Sequence, residues 1–400
     1  MATLTILRLS RVVLLGLCLA GAPAFPWLGS GLAASREAID LLVEGGTVVT
    51  MDSDRRVIDD GAVAIRGDAI VAVGTRAELG KRYTPARRIG ASGRLILPGL
   101  INGHTHVPMA LFRGLGDDLP LQEWLEQYIF PAEAKNVSEE FVTWGTRLAA
   151  LEMIRSGTTT YADIYYFEDA IARATRAAGL RAVLGQAILD GPAPDHKTPA
   201  ETLAYMERFL QRWQDDPLIR AAVAPHSTYL ASEDTLRKAF ALARRHRAPI
   251  LIHLSETKRE VEESRARHGL SPVGYLDKLG LLGPDVVAKH CTWVDTADIA
   301  LLAARGVGCV HNPSSNMMLA SGVAPVVELL AAGVATGLGT DGPAGSNNDH
   351  NLMEEMDLAA KLQKVSRRDA RALNAQQALE MATIGGAMRP TGEAIAARRP

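Results

Sequence analysis

Two histidines one residue apart, His104 and His106, close the apolar run RLILPGLINGHTH at 94–106. Imidazole nitrogens bind transition metals, and strand alternation puts residues i and i+2 on one face, so such a pair can aim two ligands at one ion. A buried strand with two satisfied core histidines reads the same in isolation, so the pair takes its meaning from companions. His226, His253 with Glu256, His290, His311 and Asp341 all stand at the C-terminal ends of other apolar runs. His104, His106, His253 and Asp341 offer three nitrogens and one oxygen, a set that suits a single catalytic zinc and also accommodates Fe(II) or Mn(II). A divalent ion so held lowers the pKa of water toward neutrality. Glu256, three residues beyond His253, is free to shuttle a proton, and His290 with Asp341 can hold and deprotonate the water. Plainer readings exist for each: a helix-start carboxylate for Glu256, a core histidine beside Cys291 for His290, the cap of an Asp-Gly turn for Asp341.

Something must bring residues more than 200 positions apart together. Eight apolar runs alternate with helical segments: 94–106, 158–165, 181–189, 219–227, 249–256, 286–293, 307–315 and 334–342. Alternation of this kind signals βα units and a parallel sheet, whose buried strands need no polar alternation. Eight units make a (β/α)8 TIM-type barrel the economical α/β reading, over 94–387, and its strand ends converge on one mouth where barrel enzymes place their chemistry. Between the first two runs, Phe141, Trp144, Leu148, Leu151 and Ile154 recur at helical spacing behind Ser138, which predicts a capped helix with these residues facing the core. Short Val- and Ile-rich segments separated by Gly and Asp turns at 35–93 predict a small β domain.

Composition narrows the class. Lys and Arg (43) nearly balance Asp and Glu (45) and are scattered, so no nucleic-acid-binding stripe is present. Three cysteines, Cys18, Cys291 and Cys309, exclude a disulfide framework or a Cys-rich zinc module, and the latter two read as small hydrophobes inside apolar runs. Arg8 and Arg11 precede an uncharged stretch that starts with VVLLGLCLA and breaks at Gly21, Pro23 and Pro26. This is the anatomy of an export signal and linker over 1–34, cut near Ala22-Pro23-Ala24, and it implies a periplasmic or secreted protein with no stable membrane association after cleavage. Without use of the signal the protein would be cytoplasmic. His196, His246, His268 and His350 lie in polar segments and read as solvated.

PGLINGHTH, HLSE, KHC, HNPSSN and LGTDG, in this order, resemble the amidohydrolase superfamily in its single-metal branch, over residues 39–387. The resemblance implies metal ligation by His104, His106, His253 and Asp341, proton transfer by Glu256, and water activation by His290 with Asp341. Two-metal branches carry a modified lysine on the fourth strand; this chain reads VAPHST there, so one ion is expected. LPLQEWLEQYIFPAEAK, APHSTY and GTDGPAGSNNDHNLMEEM are similar to the 5'-methylthioadenosine/S-adenosylhomocysteine deaminases. That likeness implies a purine nucleoside substrate, with Glu133 on the ribose hydroxyls, Trp124 lining the pocket, and His226 and Ser346 on purine nitrogens. Glu256 would protonate the ring nitrogen beside the amino-bearing carbon while hydroxide attacks, and ammonia leaves.

Where the resemblance places an arginine for the homocysteine carboxylate, this chain has Gln186, which carries no charge; Lys197 in the next loop is a looser substitute. Methylthioadenosine or adenosine is therefore expected ahead of S-adenosylhomocysteine. The alternatives are a deaminase or chlorohydrolase of another heterocycle (guanine, cytosine, a pterin or a triazine), and a non-catalytic or unstable barrel scaffold. After MATIGGA the family continues with strands that complete a β-sandwich, whereas this chain reads MRPTGEAIAARRP at 388–400. A C-terminally truncated sandwich with unpaired strand edges is the expectation, and a homo-oligomer is compatible with it.

Overall fold

The computed structural model describes residues 36–387. The segments read above as an export signal and an atypical tail lie outside the described residues. Among the described residues no helix is long and apolar enough to cross a membrane.

The first sheet has five strands: β1 (Glu37–Val49), β2 (Val57–Arg66), β3 (Ala69–Thr75), β4 (Tyr83–Gly90) and β5 (Leu95–Ile96). Its order is β3-β2-β1-β4, with β5 pairing the far end of β1. Ile39, Leu42, Ala62, Ala64 and Tyr83 form a small core, closed by Leu79 from the helix Arg76–Arg82. Among the described residues this domain is one sheet, not two facing ones. The run at 94–106 is also split. Leu95–Ile96 belongs to the small sheet, Pro98 and Gly99 break the chain, and the barrel strand starts at Leu100. A side chain at Gly99 would meet Thr159 Oγ1 at 2.2 Å, so only glycine passes there.

The barrel strands are β6 (Leu100–Thr105), β7 (Thr158–Tyr165), β8 (Arg181–Ile188), β9 (Ile219–Pro225), β10 (Ile250–Leu254), β11 (Val286–His290), β12 (Gly308–His311) and β13 (Thr336–Leu338). Each pairs in parallel with the next along the chain. A parallel bridge between Thr105 and Asp341 joins the last unit back to the first, with Asp341 N donating to His104 O at 3.0 Å. Asn102 reinforces this seam by donating to Thr340 Oγ1 at 2.8 Å and accepting from Thr340 N at 3.1 Å. Asp341, one of the expected ion ligands, thus lies on the seam of the barrel.

The helix after β6 runs Glu139–Ser156, and Ser138 caps it by accepting from Phe141 N at 3.2 Å. Its buried face differs from the expected one. Val142, Gly145, Thr146, Ala149, Ala150 and Met153 pack inward, while Trp144, Leu151 and Ile154 are 55%, 55% and 50% exposed. Close approach is the reason. A side chain at Gly145 would meet Pro108 O at 2.6 Å, so small residues face the 3₁₀ segment Val107–Phe112 there and Trp144, Leu151 and Ile154 turn outward. Phe141 and Leu148 stay half-buried against the core as expected, Phe141 with its ring 4.7 Å from that of Phe112. Gly145→Ala should therefore cost about 1–3 kcal/mol. Trp144→Ser should stay within about 0.5 kcal/mol in the same denaturant unfolding experiment. The reverse ranking would restore the large-residue face as the core.

Candidate active site

His104 and His106 leave β6 with ring centroids 4.8 Å apart, and the Nε2 of each lies 3.2 Å from Asp341 Oδ1. His253, at the end of β10, is 4.9 Å from His104 by ring centroids, and His290, at the end of β11, is 5.4 Å from it. Ligand atoms of His104, His106 and Asp341 lie within 4.8 Å of one another, as do those of His104, His253 and His290. His104 joins the two groups. The structure thus gathers the four expected ligands and brings His290 in as a fifth donor.

Hydrogen bonds to the backbone orient the rings. His106 Nδ1 donates to Ile164 O at 2.5 Å and His253 Nδ1 to His226 O at 2.8 Å, which leaves each Nε2 lone pair facing the center. His290 Nδ1 donates to Asn316 Oδ1 at 3.1 Å. Asp341 is held by Ser315 Oγ at 2.7 Å and Gly342 N at 2.9 Å, so HNPSSN on the seventh unit fixes the carboxylate of the eighth. Burial opposes the Asp341 charge, but His104 and then His106 override it and hold the carboxyl well below its ordinary range. Both His104 ring nitrogens are buried without a hydrogen-bond partner, as a ligand awaiting a cation would be. The donor set fits one divalent ion. Ser255, His290, Cys291 and Asp341 all have positive φ (52°, 68°, 49° and 65°), so left-handed backbone clusters at the mouth.

Above this center lies a cavity lined mainly by apolar and aromatic side chains. Glu256 lines it, and its Oε1 lies 3.8 Å from His290 Nε2, which is 3.9 Å from Asp341 Oδ2. Burial first, and the Asp341 charge second, raise the Glu256 carboxyl to about 8. His226 lines the same cavity with its Nδ1 unpartnered, and burial depresses its pKa to about 3, so it enters as a neutral imidazole. Glu133 and Trp124 also line it. Burial raises Glu133 to about 7, opposed first by the neighbouring Tyr165 hydroxyl and then by His106. Trp124 also donates from Nε1 to Ala344 O at 2.7 Å, so its indole ties the wall to the loop after β13.

Two expected contacts are turned elsewhere. Gln186 is buried but lies off the cavity, donating to Asp195 Oδ1 at 3.2 Å and accepting from Glu168 N at 3.5 Å. Ser346 is also off the cavity, and its hydroxyl donates to Gly342 O at 2.5 Å. Both side chains are already engaged by their own loops. His311 ends β12 buried with neither ring nitrogen partnered, outside the cavity lining. His350 is buried, not solvated; its Nδ1 lies 3.2 Å from Thr340 Oγ1 in the seam, and burial depresses its pKa to about 3.

Sequence reasoning missed Tyr165, Tyr166 and Tyr229, which line the cavity. The Tyr165 and Tyr229 hydroxyls are buried, and that of Tyr165 stands beside the Glu133 carboxyl. Their signal was the one that flagged the histidines: Tyr165 closes the run 158–165, and Tyr229 follows His226 by three residues.

The sequence pattern of the Amidohydrolase family matches residues 95–389, and that of a bacterial imidazolonepropionase-like composite domain matches residues 61–86. The chain is 52% identical over 348 residues to a 5-methylthioadenosine/S-adenosylhomocysteine deaminase of Syntrophobacter fumaroxidans, covering 87% of this chain and 79% of that one. It is 43% identical over 336 residues to a 5'-deoxyadenosine deaminase of Methanothermobacter thermautotrophicus, covering 83% and 78%. Among solved structures, an adenosine deaminase from Xanthomonas campestris with bound zinc superposes with a TM-score of 0.86 at 41% identity, covering 90% of this chain and 83% of that one. Likeness in sequence and in fold extends over most of its length, and the chain belongs to the amidohydrolase family.

Proposed function

We propose that the chain is a metal-dependent aminohydrolase of adenine nucleosides that carry a small, uncharged 5'-substituent, converting them to the inosine analogue and ammonia. One observation carries this reading. A single cavity has Glu256, His290 and Asp341 at its floor, Glu133 on its wall, and otherwise mostly apolar or aromatic lining, with no Lys or Arg among the described residues that line it. A carboxylate suits the donors of a ribose diol, and Trp124, Leu125, Ile129 and Phe130 suit an apolar 5' group. Nothing in that lining would pair the carboxylate of a homocysteine tail. The relative named for 5'-deoxyadenosine fits the same choice, while the 52% identical relative is named for both methylthioadenosine and S-adenosylhomocysteine, so the lining carries the distinction between those two.

His104, His106, His253 and Asp341 are the residues assigned to hold one divalent ion, zinc by analogy with the adenosine deaminase neighbour. Such an ion supplies Lewis acidity that brings the pKa of water toward neutrality. The remaining steps belong to side chains. Glu256 is protonated at neutral pH and donates to the ring nitrogen beside the amino-bearing carbon, which makes that carbon electrophilic. His290 Nε2 and Asp341 accept the proton of the attacking water. As the carbon–oxygen bond becomes a carbonyl, the water's second proton passes to the amine. Ammonia departs and the ring nitrogen keeps its hydrogen. Of the two water protons, one restores Glu256 and one leaves with ammonia.

The test is a substrate panel followed by adenine absorbance and ammonia release. Methylthioadenosine and 5'-deoxyadenosine should exceed S-adenosylhomocysteine in kcat/KM by at least about 10-fold, the effect of one unpaired charge. Preferential turnover of guanine, cytosine, a pterin or a triazine would overturn the reading. Glu133→Ala should raise KM for ribose nucleosides about 10- to 100-fold with a smaller change in kcat, since it removes charge-assisted hydrogen bonds remote from the reacting carbon.

A further inference from the structure

Cys291 and Cys309 take no part in the reaction above. Cys291 follows His290 at the end of β11, and Cys309 lies inside β12, in register with Ala288 of β11. Both are buried, at 0% and 1% exposure, and their Sγ atoms are 3.0 Å apart. That gap is tight for two unbonded sulfur atoms and only about 1 Å longer than a disulfide bond of ~2.05 Å. The backbone beside both sulfurs is hydrogen-bonded, Cys291 N donating to Leu254 O at 3.2 Å and Cys309 N to Ala335 O at 2.8 Å, so the two thiols face each other on a set framework.

We infer that Cys291 and Cys309 form an intramolecular disulfide when the chain folds in the presence of a disulfide oxidant. One cysteine thiolate attacks the oxidant's S–S bond, giving a mixed disulfide and releasing one thiol. The second cysteine thiolate then attacks the protein-side sulfur and releases the other. Two electrons pass from the cysteine pair to the oxidant, and the two protons end on its released thiols. Burial of both sulfurs places the exchange before β11 and β12 pack. The bond encloses the helix Thr296–Arg305 in a short loop, which restricts the unfolded chain. It also fastens the left-handed turn at His290 and Cys291, φ 68° and 49°, to the neighbouring strand. An exported chain would meet such an oxidant, whereas a reducing cytoplasm would keep the dithiol.

The experiment refolds the full chain with a divalent metal, in oxidised glutathione or in dithiothreitol. Each sample is then denatured in alkylating agent without reductant and digested. The oxidised sample should yield the Cys291 and Cys309 peptides joined, lighter than the dithiol pair by two hydrogens. Its Tm should exceed that of the reduced sample by about 5 °C. Cys309→Ala should abolish both the joined peptide and the Tm difference between the two conditions. Alkylation of both cysteines after oxidised refolding overturns the inference, even if the variant fails to fold. Pairing of either cysteine with glutathione or Cys18 instead overturns it equally.

Discussion

Glu256→Gln is expected to lower kcat on methylthioadenosine by about 10³-fold, the range of a lost general acid, with KM changed far less. Glutamine keeps the shape and fills the same space at the cavity floor but has no proton to give the ring nitrogen. The pH profile checks the assignment separately. With the wild-type carboxyl raised to about 8 by burial and then by Asp341, activity governed by the acid form holds below that value and falls as pH rises through it. The same shift makes a stability statement. Unfolding returns the carboxyl to its ordinary value of 4.5, so its protonated folded form contributes stability fully below 4.5, and that contribution is lost as pH rises toward 8. Thermal melts at constant metal should therefore show Glu256→Gln gaining on the wild type between pH 5 and pH 8. A variant that retains more than a tenth of wild-type kcat, or one whose Tm falls relative to that of the wild type between pH 5 and pH 8, contradicts the role.

Asp341→Asn carries the second large effect. One carboxylate faces His104 and His106 at 3.2 Å each and accepts from Ser315 and Gly342, so in the proposed mechanism it serves the ion and the water while it sits on the seam. Asparagine halves its accepting capacity and places an amide N–H against a donor. A fall in kcat of more than about 10³-fold should follow, with activity that added zinc does not restore. Chelation of the wild type should produce a similar loss that one equivalent of zinc reverses. Recovery of Asp341→Asn in excess zinc would reduce the carboxylate to a minor ligand.

Most of the barrel could be read in the sequence because buried parallel strands appear as apolar runs, and the polar residues that end them are the ones the structure gathers at the mouth. His104, His253, Glu256 and Asp341 all stood out in this way. Where a choice depended on distance between elements, the sequence was less informative. The helix at 139–156 has two apolar stripes, and only the close approach of Pro108 to Gly145 decides that Ala149 and Met153 face inward and Trp144 outward. Tyr165 is hard to single out because a tyrosine in an apolar run reads as packing, and Tyr229 because it lies just beyond the end of its run. His350 reads as solvated because its neighbours are polar, yet those neighbours are buried too: Asn347 donates to Thr340 O at 2.7 Å and to Glu355 Oε1 at 2.8 Å, and Thr340 Oγ1 meets the His350 ring. Gln186 was placed by analogy at the substrate, but Asp195 and Glu168 already use its amide.

The central claim is that His104, His106, His253 and Asp341 together hold one ion at the barrel mouth. Metal content after exhaustive dialysis, measured on the wild type and on His253→Ala, tests it most directly. The account predicts one divalent ion per wild-type chain and a loss of most of it in the variant. Two ions per chain, or full retention after His253→Ala, would contradict it.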